Sequence, residues 1–287
     1  MVDNGSTDGS VEFLATHHSH VKTITLSENT GFCHAVNIGI KQADTEYVIL
    51  LNNDTIIRPG FTNALVNAIS KDKHIFSVSA KMLDMKNPEI IDNAGDLYNA
   101  LGWAYSRGKG KNNSRYQKEI PIFSACAGAA IYRREVVEAL WYFDEAHFAY
   151  LEDVDIGYAA RIRGYKNIFC PGAEVLHIGS AASGSRYNEL KTDLASRNSV
   201  YIIFKNMPVL QIILNLPFLI LGLFIKFIFF CLKGMGGRYL RGLARGLKMS
   251  FCKHARERKV RFLWKNLRYY LIVQWELWLN MFRLFII

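Results

Sequence analysis

The chain of 287 residues is 50% hydrophobic and 21% charged, which excludes a disordered chain and a disulfide-stapled miniprotein and leaves one large domain or two small ones. Its five cysteines, Cys33, Cys126, Cys170, Cys231 and Cys252, are scattered with no Cys-x-x-Cys pair, which points away from a zinc site and towards reduced thiols in a cytosol-facing protein. The formal charge of +10 is uneven: residues 207–287 hold fourteen Lys and Arg against Glu257 and Glu276, a net of +12, and residues 1–206 stand at −2. A basic tail interleaved with long aliphatic runs suits an anionic membrane surface; nucleic acid requires no such runs and is set aside.

The first ten residues bring Asp3-Asn4-Gly5-Ser6-Thr7-Asp8-Gly9-Ser10, turn and N-cap residues that normally follow a strand. No strand precedes them, so the chain reads as starting in mid-fold, and no basic and apolar leader suggests a secretory signal. Residues 11–18 read as a short helix, 21–26 as an alternating strand and 31–43 as a helix. Residues 46–51 form a continuous apolar run, the mark of a buried parallel strand, ending at Asn52-Asn53-Asp54. Strand, loop, helix, strand in this order predicts α/β with crossovers, ligands lying beyond the carboxyl ends of the strands, where Asp3 and Asp54 fall.

A helix over 59–71 begins near Pro59, and 75–82 is a further strand. The polar, glycine-containing stretch 107–118 reads as a mobile surface loop. Within 123–133 the small residues Ala125 to Ala130 allow close approach of a ligand or another strand. A helix opens with Glu152-Asp153-Val154-Asp155 and runs to Arg163, closed by Gly164. Ile168 and Val175 mark two short strands, followed by a glycine and serine loop over 177–185.

The tail has two amphipathic segments. Residues 209–232 are long enough to span a bilayer at about 1.5 Å per residue, yet Gln211, Asn215, Gly222, Lys226 and Lys233 share a narrow arc and Pro217 interrupts the run. That pattern predicts a helix or broken hairpin lying in the membrane interface. In 262–287, Lys265, Arg268, Glu276, Asn280 and Arg283 share one face, with Trp264, Tyr270, Trp275, Trp278 and Phe282 as interfacial aromatics. The alternative is a helical subdomain packed on the core, because aromatic helix faces also build cores.

Five segments occur in order: Val2 to Ser10; Asn29-Thr30-Gly31-Phe32 with Asn37-Ile38-Gly39; Leu51-Asn52-Asn53-Asp54; Phe143-Asp144-Glu145 with Glu152 to Asp155; and His177-Ile178-Gly179-Ser180. Together they resemble family 2 glycosyltransferases of the GT-A fold, nearest the rhamnosyltransferase-like enzymes of bacterial and archaeal surface polysaccharide synthesis. The resemblance implies a GT-A-like mixed sheet flanked by helices over 1–206, lacking the usual amino-terminal strand and helix, and a membrane-associating tail over 207–287. It also implies an inverting transfer from a nucleotide-diphosphate sugar, with dTDP-rhamnose the leading donor, to a lipid-linked or polysaccharide acceptor at the cytoplasmic face of the cell membrane.

Residue by residue, a carboxylate after a strand, as at Asp54, suits Mg²⁺ or Mn²⁺ shared with a diphosphate; the family's Asp-x-Asp is Asn52-Asn53-Asp54 here, which leaves Asp54 the main acidic ligand. By resemblance His177 reaches the same metal or the diphosphate, Asp3 meets the nucleotide base or ribose, and Asn4, Asn29, Gly31, Asn37, Asn52 and Asn53 complete the donor site. Asp153 becomes the general base towards the acceptor hydroxyl, with Glu152 the fallback, and Asp155 is expected to pair with Arg161 or Arg163. Arg197 either meets a phosphate or is a solvated helix residue. Each residue also has a purely structural alternative: turn aspartates at Asp3 and Asp54, helix caps at Glu152 and Asp153, a satisfied histidine at His177. Two rival readings stand beside the enzyme: a shortened, non-catalytic binding product of the same fold, and a nucleotidyltransferase, against which the lack of a Gly-rich basic loop counts.

Overall fold

The computed structural model describes residues 1–179 and 188–286. Its centre is β5 (Ile75–Asp84), whose first nine residues are all buried. Phe76 and Leu83 enter one hydrophobic cluster, while Val78, Ala80 and Met82 enter the other, the two-sided burial expected of a strand covered on both faces. Around it lie β3 (Tyr47–Leu51), β4 (Thr55–Ile57), β6 (Ile91–Asn93), β9 (Ile120–Ile122), β10 (Ala129–Arg133) and β11 (Lys166–His177). Among the described residues they form a seven-stranded mixed sheet in the order β3-β10-β5-β11-β4, with β6 on β5 and β9 on β11. β11 is parallel to β5, and β10 is antiparallel to both β3 and β5. One face is covered by α3 (Phe61–Ser70) through Phe61, Leu65, Ala68 and Ile69. The other face carries α5 (Glu152–Ile162), where Gly157 lets the helix come close to Ser124, because a Cβ there would lie 2.5 Å from the Ser124 side chain.

The amino-terminal elements are β1 (Val2–Asp3), α1 (Ser10–His17), β2 (Ile24–Thr25) and α2 (Phe32–Lys41); β1 and β2 pair in parallel as a separate ladder. The first turn cluster therefore does follow a strand, of two residues. The predicted strand over 21–26 shrinks to two residues, and the predicted buried parallel strand over 46–51 is an edge strand with an antiparallel partner, half-exposed along its length. Its apolar run signalled strand without telling an edge from a centre.

Two further readings change. Ile168 and Val175 lie on one strand, β11, which absorbs Pro171 and Gly172 in a register shift between Cys170 and Glu174. The stretch 107–118 is pinned rather than loose: Ile91 N donates to Lys111 O and Gly110 N to Ile91 O, Arg107 N donates to Gly95 O, and Tyr116 is buried beneath Arg107. The residues between, β7 (Asp96–Tyr98) and β8 (Ala104–Ser106), form a small hairpin; α4 (Arg134–Ala139) follows β10.

Beyond α6 (Glu189–Asn206) come α7 (Val209–Leu232), α8 (Gly236–Ser250), α9 (Lys253–Arg258) and α10 (Leu267–Ile286). α7 is one continuous helix through Pro217, not a hairpin. Its polar arc faces the protein: Gln211 accepts from Tyr158 Oη at 2.9 Å, and Asn215 exchanges two 2.8 Å bonds with Gln274. Trp103 Nε1 donates to Gly222 O at 3.1 Å, and a Cβ on Gly222 would collide with Leu101. On α10, Glu276 pairs with Arg161, Asn280 Nδ2 donates to Tyr98 O at 2.9 Å, and Val273 and Leu277 join the main core. The side turned outward is apolar, including Leu210, Ile213, Ile220, Phe224 and Ile228 on α7 and Leu271, Ile272, Trp275 and Phe282 on α10. The tail is thus both packed on the core and apolar outside; the Asn215 and Gln274 amides satisfy one another where water is absent.

Candidate active site

The first loop is welded to the turn before α2. Asn4 Oδ1 accepts from Thr30 N and Thr30 Oγ1, each at 3.0 Å, and Asn4 Nδ2 donates to Asn29 Oδ1 at 3.1 Å and Gly31 O at 3.2 Å. Gly31 N returns a bond to Asn29 Oδ1 at 3.0 Å. Gly31 has φ +91°, and a Cβ on it would sit 2.6 Å from the Phe148 ring, so only glycine fits. Asp3, buried beside this weld, accepts from Ser6 N at 3.1 Å. Asn37 is buried as well: its Nδ2 donates to Phe143 O at 2.8 Å and Glu145 Oε1 at 2.9 Å, and its Oδ1 accepts from Phe143 N at 3.0 Å. The carboxamides of Asn4, Asn29 and Asn37 thus hold loops together around the edge of the sheet.

At the end of β3, Asn52 N donates to Gly128 O at 2.9 Å, the close approach that the small residues before β10 permit. Asn53 is exposed and Asp54 half-buried. β4 and β11 pair antiparallel so that His177 lies opposite Thr55, and this register brings His177 Nε2 to 3.3 Å from Asp54 Oδ1. The other ring nitrogen, Nδ1, lies 2.8 Å from Asp92 Oδ2, and Lys109 binds the second oxygen of Asp92. A carboxylate on Nδ1 fixes the proton there and turns Nε2 towards Asp54, as carboxylates do behind metal-binding histidines. The hydrogen bond to Asp92 is the main reason the His177 imidazolium is favoured over its usual range. Burial pushes Asp92 up, but His177 and Lys109 outweigh it and hold that carboxyl low. Asp54 and, once its proton has left, His177 Nε2 offer oxygen and nitrogen donors of the type a divalent ion takes. The residues after Gly179 in the predicted glycine and serine loop, beginning with Ser180, lie outside the described residues.

The second half of the site is a carboxyl pair. The oxygens of Asp96 and Asp153 and the Cys126 sulfur lie within 4.8 Å of one another. Asn93 Nδ2 donates to Asp96 Oδ1 at 2.8 Å, and Val154 N to Asp153 Oδ1 at 2.7 Å. Burial, then the Asp153 charge, drives the Asp96 carboxyl well above its usual range; burial also raises Asp153, against a hydrogen bond from Asp96 that lowers it. Two carboxyls so close share a proton, with Asp96 as its holder. Glu152 is separated from Asp153 by exposure: it is buried, its Oε2 has no hydrogen-bond partner, and burial with the Asp153 charge pushes it up to about 8, whereas Asp153 is half-buried and accessible.

The 92–96 turn joins the two halves, Asp92 serving His177 and Asp96 serving Asp153. Gly95 makes the turn at φ +93°, with its N–H on Asn93 Oδ1 at 2.6 Å. Neither acid was singled out from the sequence; the signal was Asp92-Asn93-Ala94-Gly95-Asp96, a turn sequence with an acid at each end.

The loop leading into α5 is strained, with Phe148, Tyr150 and Leu151 at φ 61°, 71° and 69°. α6 holds it. Asn198 Nδ2 donates to His147 O, Ala149 O and Tyr150 O at 3.0, 2.9 and 2.7 Å, and Arg197 Nη2 to Ala146 O and His147 O at 3.0 and 2.6 Å. Arg197 is therefore a clamp on the loop, not a solvated helix residue. Asp155 pairs with Lys205 and with His147 at 3.2 Å rather than with Arg161 or Arg163; Arg161 is taken by Glu276 and Ile122 O, and Arg163 donates to Ala159 O. Lys205 also reaches Asp144 at 2.9 Å, and Tyr201 Oη and His254 Nε2 each lie 2.8 Å from that carboxylate. Burial alone would raise Asp144, but these partners hold it far below the usual range.

Comparison with known proteins gives the same direction. Residues 1–141 match the family described as Glycosyl transferase family 2. The N-acetylglucosaminyl-diphospho-decaprenol L-rhamnosyltransferase of Mycobacterium tuberculosis is 26% identical over 208 residues, 64% of this chain and 67% of that protein. The poly-beta-1,6-N-acetyl-D-glucosamine synthase of Staphylococcus aureus is 23% identical over 170 residues, 58% of this chain but 39% of that one. Among solved structures, GalNAc-T7 with UDP, GalNAc and Mn²⁺ superposes with a TM-score of 0.56 at 19% identity, over 71% of this chain and 41% of that chain. That likeness is one of fold.

Proposed function

We propose, from the match of residues 1–141 to glycosyltransferase family 2, that this chain is a glycosyltransferase of that family and that it transfers a sugar, with L-rhamnose from dTDP-rhamnose the leading donor, to an acceptor built on a lipid-linked N-acetylglucosamine. The joining of the Asp54–His177 and Asp96–Asp153 pairs by one turn is the observation that carries the reading. The relative named for rhamnose transfer to N-acetylglucosaminyl-diphospho-decaprenol supports the choice of substrates.

Asp54 and His177 would hold a divalent ion, Mg²⁺ or Mn²⁺, and GalNAc-T7, of the same fold, is described with Mn²⁺. When bound, the ion supplies positive charge to the diphosphate leaving group. Asp92 orients His177 for that task. The first loop and the Asn52-Asn53 ledge line the donor side, with Asp3 available to the nucleoside. Asp153 accepts the proton of the acceptor hydroxyl as its oxygen bonds to the anomeric carbon; the bond from that carbon to the diphosphate oxygen breaks, and nucleoside diphosphate leaves. A single displacement of this kind inverts the anomeric centre.

The outward apolar face of the tail and its +12 charge support attachment to the cytoplasmic face of an anionic membrane. α7 is long and apolar enough to cross a bilayer, but its Gln211, Asn215 and Gly222 contacts would have to be given up for it to do so. We therefore favour a helix lying in the interface with the catalytic domain above it. The test is transfer from a panel of nucleotide sugars to a short-chain polyprenyl-diphospho-N-acetylglucosamine in detergent: product only with dTDP-rhamnose supports the donor assignment, and product only with another sugar replaces it.

A further inference from the structure

A cavity of about 220 Å³ lies between the catalytic domain and the tail, away from the Asp54 and Asp153 groups. Its walls come from α5, from the end of α9 and from the segment leading to α10. Five cations line it, Arg163, Lys205, Arg258, Lys259 and Arg261, against one carboxylate, Asp155. Asp155 is already neutralised by Lys205. Among the described residues, Arg163, Arg258, Lys259 and Arg261 have no carboxylate within ion-pair distance; Arg258 donates to Trp141 O, and Lys259 stacks over the Phe204 ring at 3.9 Å. Arg163 is exposed at the mouth of the cavity and Lys259 is half-buried; burial lowers the affinity of Lys259 for its proton, so it gains from an anion beside it.

Cations gathered around a cavity without counter-charges call for an anion, and guanidinium forks match phosphate oxygens in pairs. The cavity is smaller than the roughly 300–1,000 Å³ that encloses a whole drug-sized ligand, which suits a head group and not a nucleotide sugar. Its surroundings name the source. Trp141 is 55% exposed and Trp264 79% exposed, and Phe262 and Leu263 are exposed beside them, the amphipathic and apolar rim of a surface that sits at head-group depth. We propose that this cavity is a binding site for the phosphate of an anionic lipid, held chiefly by Arg163 and Arg261, distinct from the sugar-transfer site.

The test uses the full chain and reads binding, not turnover, so that it stands whether or not the proposed transferase activity does. Vesicles of phosphatidylcholine containing phosphatidic acid or phosphatidylglycerol are matched in surface charge; a built phosphate site distinguishes the exposed phosphomonoester from the diester, and a merely basic face does not. The expected result is a preference for phosphatidic acid that falls about tenfold in Arg163→Gln/Arg261→Gln, the scale of losing charge-assisted hydrogen bonds. Lys233→Gln/Lys248→Gln removes the same charge outside the cavity and should keep the preference. Inorganic diphosphate should compete with phosphatidic acid for the wild type. No preference between the two lipids together with diphosphate binding unaltered in the arginine pair, or a lipid preference unchanged in that pair, overturns the site; diphosphate binding that is lost in the arginine pair, without any lipid preference, overturns the lipid source in favour of a soluble phosphate.

Discussion

His177 Nδ1 lies 2.8 Å from Asp92, a residue 85 positions earlier in the chain. That one bond aims the other imidazole nitrogen at Asp54. Asp92→Asn removes the acceptor that fixes the ring, and Mn²⁺ affinity should fall roughly 10- to 100-fold, read by Mn²⁺ paramagnetic resonance titration. Asp54→Ala should abolish the binding while leaving the fold intact, as befits a loop side chain at the sheet edge. Wild-type affinity in both variants would remove the pair from the metal site.

The carboxyl pair separates chemistry from binding. Asp153→Asn should leave donor affinity within a few-fold and cut turnover about 10²-fold or more. Isothermal titration with donor and steady-state kinetics give the two readings; a crippled Glu152→Gln beside an active Asp153→Asn would reverse the assignment of the base.

In the proposed mechanism Asp96 acts through Asp153: as the protonated partner it donates to the Asp153 carboxylate and so favours its ionisation. Asp96→Ala withdraws that donor and should move the acidic limb of the kcat/KM profile to higher pH. Asp96→Asn, whose amide can still donate, should leave the limb near its wild-type place, and identical limbs in the two variants would count against the pairing.

Glu152 gives a signed dependence of stability on pH. Its carboxyl is raised from an ordinary value of 4.5 to about 8 by burial and by the Asp153 charge, so between those values the folded chain binds a proton that the unfolded chain has released. Its stabilising contribution is therefore present below pH 4.5 and is lost as pH rises through 8. Glu152→Gln should flatten that part of the curve, checked by thermal midpoints across the range; a wild-type slope in the variant would contradict the burial argument.

Ile220 and Phe224, each 59% exposed on α7, belong to the outward apolar face. Ile220→Asp/Phe224→Asp should abolish co-sedimentation with anionic vesicles at low salt while helical content, read by circular dichroism, is unchanged. High salt should release the wild type only in part, since screening weakens the charge term and leaves apolar burial in place.

The sequence by itself determined the alternation of strands and helices and the small-residue approach before β10, and it offered Asp54, His177, Glu152 and Asp153 as candidate site residues, because apolar periodicity and local motifs are carried by neighbours in the chain. It also carried the tail's two-faced helices and their charge. Tertiary structure alone decided which way those faces turn: Gln211 and Asn215 look like a wet surface in sequence, yet they are buried, with Tyr158 donating to Gln211 Oε1 and Gln274 exchanging two bonds with Asn215 in place of water. The same holds at the site. Asp92 and Asp96 gain their roles only when β6 folds onto β5 and β11 carries His177 alongside, and Asn198 gains its own when α6 crosses the strained loop before α5. Hydrogen bonds between residues far apart in sequence leave no period to read, so these partners become visible only once the sheet register has brought them together.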